Sequence, residues 1–180
     1  IKLICPSHGV IWRSHIADIL AKYEAWTTYQ TEEKAVVVYD SMWHSTEAMA
    51  REIVDAFIKE GISAQLLDVK DNHISDIMLA CCDARYMAVG SPTLNSNMMP
   101  TVASFLTYFR GLSPKNSQRI GIAFGSYGWA PMGPKQVDEQ MKAIGFEMPL
   151  PVITQQWIPS KEKLSEIQQT VCKMIEDTRA

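Results

Sequence analysis

The feature that most constrains this chain is a regular alternation of short apolar segments with longer amphipathic segments from residue 34 onward. Residues 35–39 form a continuous apolar run rich in valine, which is typical of a strand buried on both faces. Residues 46–59 carry apolar side chains at helical spacing and are followed by Gly61, which predicts a helix and its end. Because such strands and helices alternate, we expect a parallel sheet with helices on both faces.

The same alternation continues along the rest of the chain. Further strands are predicted at 62–69, 85–90, 119–125 and 148–153, and further helices at 75–82, 98–110, 134–144 and 161–177. Five strands, each followed by a helix, predict an α/β fold of the flavodoxin-like class, a doubly wound five-stranded parallel sheet in the order 2-1-3-4-5. An eightfold βα barrel needs about 250 residues and is excluded by length.

Residues 1–33 do not share this alternation. An apolar start is followed by the turn-rich residues 6–9, a helix is predicted at 14–26, and the polar residues 27–33 are interpreted as a linker. The chain begins with Ile1 and not with methionine, and we expect it to be a fragment of a longer protein. No apolar run is long enough for a signal sequence or a membrane span, so no membrane association is predicted.

The overall charge and the cysteines argue against several kinds of partner and site. The formal net charge of −3 at pH 7 and the pI of ≈ 5.8 argue against binding to nucleic acid or to an anionic membrane. The cysteines form no C-x-x-C pair, so zinc and iron–sulfur sites are not expected. Each cysteine is interpreted as a small buried apolar residue, and scattered thiols are typical of a reducing cytoplasm.

The loop after the first strand carries the first candidate site, because ligands of doubly wound sheets bind beyond the carboxyl ends of the strands. The loop is rich in hydroxyls and leads into a helix N-terminus, whose free N–H groups and dipole favour a phosphate. The candidate phosphate-binding residues are Ser41, Met42, Trp43, His44, Ser45 and Thr46. The alternative is that Ser45 or Thr46 is only the N-cap of a plain helix.

The loops after the third and fourth strands supply a second group of candidates at the same edge. Tyr127 and Trp129, next to glycines, could form the walls of a slot for a flat aromatic ligand, although Trp129 could instead cap the core. Since the chain has neither a GxxxxGK[ST] loop nor a GxGxxG turn, the planar, phosphate-bearing ligand that fits best is FMN. The candidate ring-binding residues are Pro92, Thr93, Leu94, Asn95, Ser126, Tyr127, Gly128 and Trp129.

Three loop segments, residues 38–47, 90–95 and 124–129, resemble the FMN loops of the flavodiiron proteins, also called A-type flavoproteins. In that family a metallo-β-lactamase-like diiron domain precedes a flavodoxin domain, and residues 5–13 are similar to the last stretch of the diiron domain. The resemblance implies that residues 1–33 are a C-terminal remnant of the diiron domain with a linker, and that residues 34–180 are a flavodoxin-like FMN-binding domain. It also implies that His8 matches an iron ligand of the full-length parent.

The resemblance further implies bound FMN that relays electrons to a diiron centre, where O2 is reduced to water or NO to N2O. In the family, head-to-tail homodimers bring the FMN of one subunit near the diiron site of the other. By position, Ser41, Ser45 and Thr46 and the backbone of residues 42–44 should hold the phosphate. Residues 92–95 and 126–129 should hold the ring.

Two departures from the family pattern limit what this chain can do. Residues 130–132 read Ala-Pro-Met where the family more usually has Ser-Gly-Glu, and the HxExDH ligand motif is absent. The histidines are His8, His15, His44 and His73, and one imidazole cannot hold two irons. We therefore expect an electron-transfer module in the cytoplasm that receives electrons from a separate rubredoxin or flavin reductase.

Two other functions are compatible with the βα order. An FMN-dependent NAD(P)H:quinone reductase has the same fold but needs a nicotinamide site and a substrate pocket over the ring. A phosphoacceptor receiver module would use Asp40 at the end of strand 1, but it also needs an acidic cluster there and an acceptor Asp at the end of strand 3. Strand 3 ends in Val89-Gly90-Ser91, so the receiver alternative is weak.

Overall fold

A computed structural model describes residues 1–112 and 118–179, and in it the central sheet has the predicted architecture. The five strands pair in the order β2-β1-β3-β4-β5, and every pairing is parallel. The predicted flavodoxin-like fold class is thus confirmed. The strands are β1 (Glu32–Tyr39), β2 (Ser63–Asp68), β3 (Ala84–Gly90), β4 (Ile120–Tyr127) and β5 (Ile153–Gln156).

Helices cover both faces of the sheet, because alternate side chains of each strand point to opposite sides. On β1, Val37 packs into the core under α2 and α6, whereas Val36 and Val38 pack into the core under α3, α4 and α5. This double burial explains the continuous apolar run in the sequence. The helices are α1 (Ile16–Thr27), α2 (Ser45–Lys59), α3 (Ile74–Cys81), α4 (Pro100–Leu112), α5 (Met132–Ile144) and α6 (Lys161–Arg179).

The prediction for the fifth strand is wrong in its position. The strand was expected at 148–153, but β5 pairs with β4 from Ile153 to Gln156. Pro149 and Pro151 lack the N–H group that a strand paired with β4 would donate, so the apolar residues before Ile153 cannot continue the ladder. As a result, Trp157 directly follows β5, at the same edge of the sheet as the loop after β4.

The region before the sheet is less enclosed than the rest. Ile4 and Trp12 form an isolated antiparallel bridge, and Ile19 is the buried residue of α1. The strand β1 begins at Glu32, so the last two residues of the expected linker belong to the sheet. None of the helices in the described ranges is long and apolar enough to cross a membrane.

The expectation that every cysteine is buried is also wrong. Cys81 and Cys172 are buried in the two cores, but Cys5 and Cys82 are exposed. Burial raises the pKa of the Cys81 thiol to about 12, so this thiol behaves as an apolar core group. Cys82 comes after the last residue of α3, which explains its exposure.

Candidate functional site

A cleft of about 650 Å³ opens at the carboxyl ends of the strands, where the loops after β1, β3, β4 and β5 meet. It is the place that the reversal of strand order predicts for a ligand. Ten of the fourteen sequence-predicted residues line it: Met42, Trp43, Ser45, Pro92, Thr93, Asn95, Ser126, Tyr127, Gly128 and Trp129. Of the other four, Ser41 and His44 lie in the loop after β1, Thr46 in the first turn of α2 and Leu94 in the loop after β3. The sequence did not single out the lining residues Ser96, Ala130, Met132, Trp157 and Ile158.

The N-terminus of α2 faces this edge without a side-chain cap. His44 precedes the helix in a left-handed conformation, with φ 62°, and its side chain makes no capping hydrogen bond. Its Nδ1 lies instead 2.8 Å from Glu47 Oε2. The alternative that Ser45 or Thr46 is the N-cap is therefore wrong, because the helix begins at Ser45 and its cap position is His44. First-turn N–H groups and the helix dipole favour an anion at such a terminus.

A polar wall, formed by Ser45 and Ser126 with Thr46 behind them, bounds the cleft on the α2 side. Thr46 Oγ1 lies 3.0 Å from Ser126 Oγ and accepts the backbone N–H of Ser126 at 3.3 Å. All three side chains are buried. Ser41 Oγ is also buried, and within the described ranges it has no hydrogen-bond partner. A buried hydroxyl without a protein partner could donate to a ligand or to water.

The loop after β3 is held in shape by hydrogen bonds from α5. Leu94 and Asn97 exchange two backbone hydrogen bonds across a tight turn in which Asn95 and Ser96 have φ of 49° and 60°. Gln136 on α5 accepts the Met98 N–H at 2.9 Å and donates to Asn97 Oδ1 at 3.1 Å. Leu94 thus shapes the turn, while Asn95 and Ser96 face the cleft.

An aromatic wall, formed by Trp129 and Trp157 with Gly128 beneath them, bounds the other side. Trp129 is 92% exposed, so the alternative that it caps the core is wrong. Its ring meets the Trp157 ring edge-on, with centroids 5.8 Å apart and an interplanar angle of 71°. A side chain at Gly128 would come within 3.0 Å of the Trp157 ring. Sequence reasoning missed Trp157 because the fifth strand was placed too early, although every residue that follows a parallel strand lies at this edge.

The electrostatics of the cleft are those of a neutral site. None of the described residues that line it is charged. On the polar side, Glu47 lies in the first turn of α2, and hydrogen bonds from His44 and from Arg51 hold its pKa below the usual range. A concave, largely apolar cleft with a few hydroxyls, an uncapped helix N-terminus and an unpartnered buried Ser41 fits a planar ring that carries a phosphate. A phosphate bound in such a cleft would be held by neutral donors.

His8, the predicted iron ligand of a longer parent, is exposed. Among residues 1–112 and 118–179, no group of three or more His, Cys, Asp or Glu side chains could hold a metal ion. The role of His8 stays a prediction about a longer protein.

The sheet order, the uncapped α2 and the neutral aromatic cleft define the class of doubly wound, flavin-nucleotide-binding domains. Comparison with known proteins gives the family: the model for flavodoxin matches residues 37–169, and the chain belongs to the flavodoxin family. It is 40% identical to the nitric oxide reductase of Moorella thermoacetica over 165 residues. That alignment covers 91% of this chain and 41% of the reductase.

Solved structures give the same result. The rubredoxin oxygen:oxidoreductase from Desulfovibrio gigas matches with a TM-score of 0.90 at 36% identity, over 99% of this chain and 45% of that one. The flavodiiron protein from Giardia intestinalis matches with a TM-score of 0.89 at 30% identity, over 99% of this chain and 44% of that one. The resemblance to flavodiiron proteins is confirmed, and so is FMN as the cofactor of the domain. The chain spans less than half the length of these relatives.

Proposed function

We propose that this chain is the FMN-binding electron-transfer domain of a flavodiiron O2 or NO reductase. The observation that carries the proposal is the neutral cleft between the uncapped N-terminus of α2 and the exposed aromatic wall. The similarity to a rubredoxin oxygen:oxidoreductase and to a nitric oxide reductase along nearly the whole chain supports the electron-transfer role.

The side chains of the cleft bind and orient the cofactor and exclude water from it. Ser41 and Ser45, with the first-turn N–H groups of α2, would hold the phosphate. Thr46 is proposed as a further phosphate contact, in addition to its bond with Ser126. The loop of residues 92–95 and the segment 126–129 would hold the ring between them. When bound, FMN supplies one- and two-electron redox chemistry, and the protein supplies position and electrostatics.

The proposal extends to the longer parent protein. A rubredoxin or a flavin reductase would donate electrons, and a diiron site outside this chain would receive them. Residues 1–33 would be the end of the diiron domain and a linker, His8 would be an iron ligand there, and the parent would be a head-to-tail homodimer. The exposed thiols Cys5 and Cys82 support a reducing, cytoplasmic location.

The test is a titration of the purified chain with FMN, followed by reduction experiments. Tight binding with a perturbed flavin spectrum is expected, because the cleft excludes water from the ring. Reduced rubredoxin should bleach the bound flavin, whereas NADH or NADPH alone should not. Failure to bind FMN would contradict the proposal, and rapid bleaching by NADH or NADPH alone would favour the quinone reductase.

A further inference from the structure

An ion pair between the buried Asp40 and the half-exposed Lys70 lies at the end of β1, next to the 41–46 loop. Asp40 is fully buried, and its Oδ1 lies 2.9 Å from Lys70 Nζ. Thr101 on α4 donates its hydroxyl to the other carboxylate oxygen, Oδ2. A buried carboxylate is tolerated when it is paired and hydrogen-bonded in this way.

The same ammonium makes a second contact that the ion pair does not require. Lys70 Nζ donates to the backbone carbonyl of Ser41 at 2.6 Å. Lys70 comes from the loop after β2, and none of the described residues that line the cleft belongs to that loop. One side chain therefore joins the end of β1, the first residue of the 41–46 loop and the β2 edge of the sheet.

Lys70 is itself held in place before any ligand arrives. Its backbone N–H donates to Asp68 Oδ1 at 2.8 Å, and the N–H groups of Asp71 and Asn72 donate to the Asp68 carbonyl. Asp68 and Asp71 are the other charged groups that act on Lys70, and the pairing with Asp40 is the largest cause of the raised pKa of Lys70. The raised pKa keeps the Lys70 ammonium charged throughout the neutral pH range.

The carbonyl contact has a geometric consequence for the next donor in the loop. A peptide group is planar and trans, so its C=O and the following N–H point in opposite directions. By holding the Ser41 carbonyl, Lys70 orients the Met42 N–H to the side away from itself. Met42 lines the cleft, and its N–H is one of the backbone donors of the 41–46 loop.

From these contacts we infer that Lys70 is a positioning residue for the cofactor phosphate: it orients the Ser41–Met42 peptide while it neutralises Asp40. This inference rests on the proposed FMN function and adds a residue from a loop that does not touch the cleft. Lys70 acts through the loop, and its charge is directed at Asp40 and at the Ser41 carbonyl. In this arrangement the neutral donors of the 41–46 loop contact the cofactor phosphate, and the Lys70 ammonium determines the direction in which the Met42 N–H points.

The experiment compares FMN with riboflavin, which has the same ring and no phosphate. Both are titrated into the wild type, Lys70→Met and the double variant Lys70→Met/Asp40→Asn. The double variant leaves no unpaired buried charge, so it should unfold in urea close to the wild-type midpoint. Its Kd for FMN should rise about ten-fold or more, as for the loss of one charge-assisted hydrogen bond, while its Kd for riboflavin stays unchanged.

The matched control is Lys142→Met, which removes the cation of another Lys–Asp pair, at 2.7 Å from the mostly buried Asp138. Both Kd values should be unchanged in this variant. Equal changes for FMN and riboflavin in the double variant, no change for either, or failure of the double variant to fold would each overturn the positioning role. Absence of FMN binding by the wild type would instead overturn the proposed function, and the inference with it.

Discussion

The polar wall and the aromatic wall of the cleft are built in different ways. Thr46 and Ser126 are buried and bonded to each other through hydroxyl and backbone groups, so the polar wall is a continuation of the core. Trp129 and Trp157 touch edge-on and are 92% and 58% exposed. The difference indicates that folding alone forms the polar wall, whereas the aromatic wall stays exposed in the folded chain. Changes in the first should affect stability and binding, and changes in the second should affect binding alone.

The largest effect is expected at Gly125, next to the polar wall on β4. A side chain at Gly125 would lie 1.9 Å from the Ser91 carbonyl oxygen, which belongs to the backbone and cannot move aside. Gly125→Ala should therefore lower the free energy of unfolding by about 3 kcal/mol or more, measured by urea denaturation. Gly111→Ala is the control, because a side chain there meets no described atom within 4 Å. If Gly125→Ala unfolded at the same urea concentration as the wild type, the backbone of β4 next to the polar wall would not be tightly packed against Ser91.

A smaller effect on both properties is expected from Thr46→Val, which keeps the volume and removes the hydroxyl. Ser126 would lose two buried hydrogen-bond contacts, so the unfolding free energy should fall by about 1–2 kcal/mol. If Thr46 also donates to phosphate, FMN affinity should weaken by about 1 kcal/mol or more, measured by titration. Thr107→Val on the exposed face of α4 is the matched control, because among the described residues that hydroxyl bonds only the Ala103 carbonyl. Unchanged FMN affinity would restrict Thr46 to a structural role.

On the aromatic wall, Trp157→Ala should weaken binding with little change in stability. The indole supports Trp129 at its edge, and aromatic pairs of this kind contribute about 0.5–1.5 kcal/mol. FMN and riboflavin should lose affinity by the same factor in titrations, because the contact concerns the ring and not the phosphate. Tyr108→Ala, at an exposed aromatic residue outside the cleft, should leave both affinities unchanged. A loss restricted to FMN would contradict the division between the two walls.

The contrast also explains what the sequence could predict. The buried run of β1 and the hydroxyl-rich approach to α2 are local patterns, so the strand, the helix and most of the polar wall followed from them. Trp157 was missed because Pro149 and Pro151 displace β5, and that displacement depends on pairing with β4. The roles of Lys70 and Gln136 depend on contacts with residues far away in the chain, which no local pattern contains.

The smallest effect concerns pH and the first turn of α2, beside the polar wall. Hydrogen bonds from His44 and Arg51 lower the pKa of Glu47 below its ordinary value of 4.5. Because the folded pKa is below the unfolded one, the stabilisation is fully present above about pH 4.5 and is lost as the pH falls through the lowered value. The difference in unfolding free energy between wild type and Glu47→Gln should therefore shrink on going from about pH 6 to about pH 3. It should stay below about 1 kcal/mol, since His44 and Arg51 are exposed.

Glu166→Gln, which removes a carboxylate from an exposed pair with Lys163, is the control. A difference that is constant over this range would show that the cluster of His44, Glu47 and Arg51 does not stabilise the start of α2, and the polar wall would then depend on Thr46 and Ser126 alone.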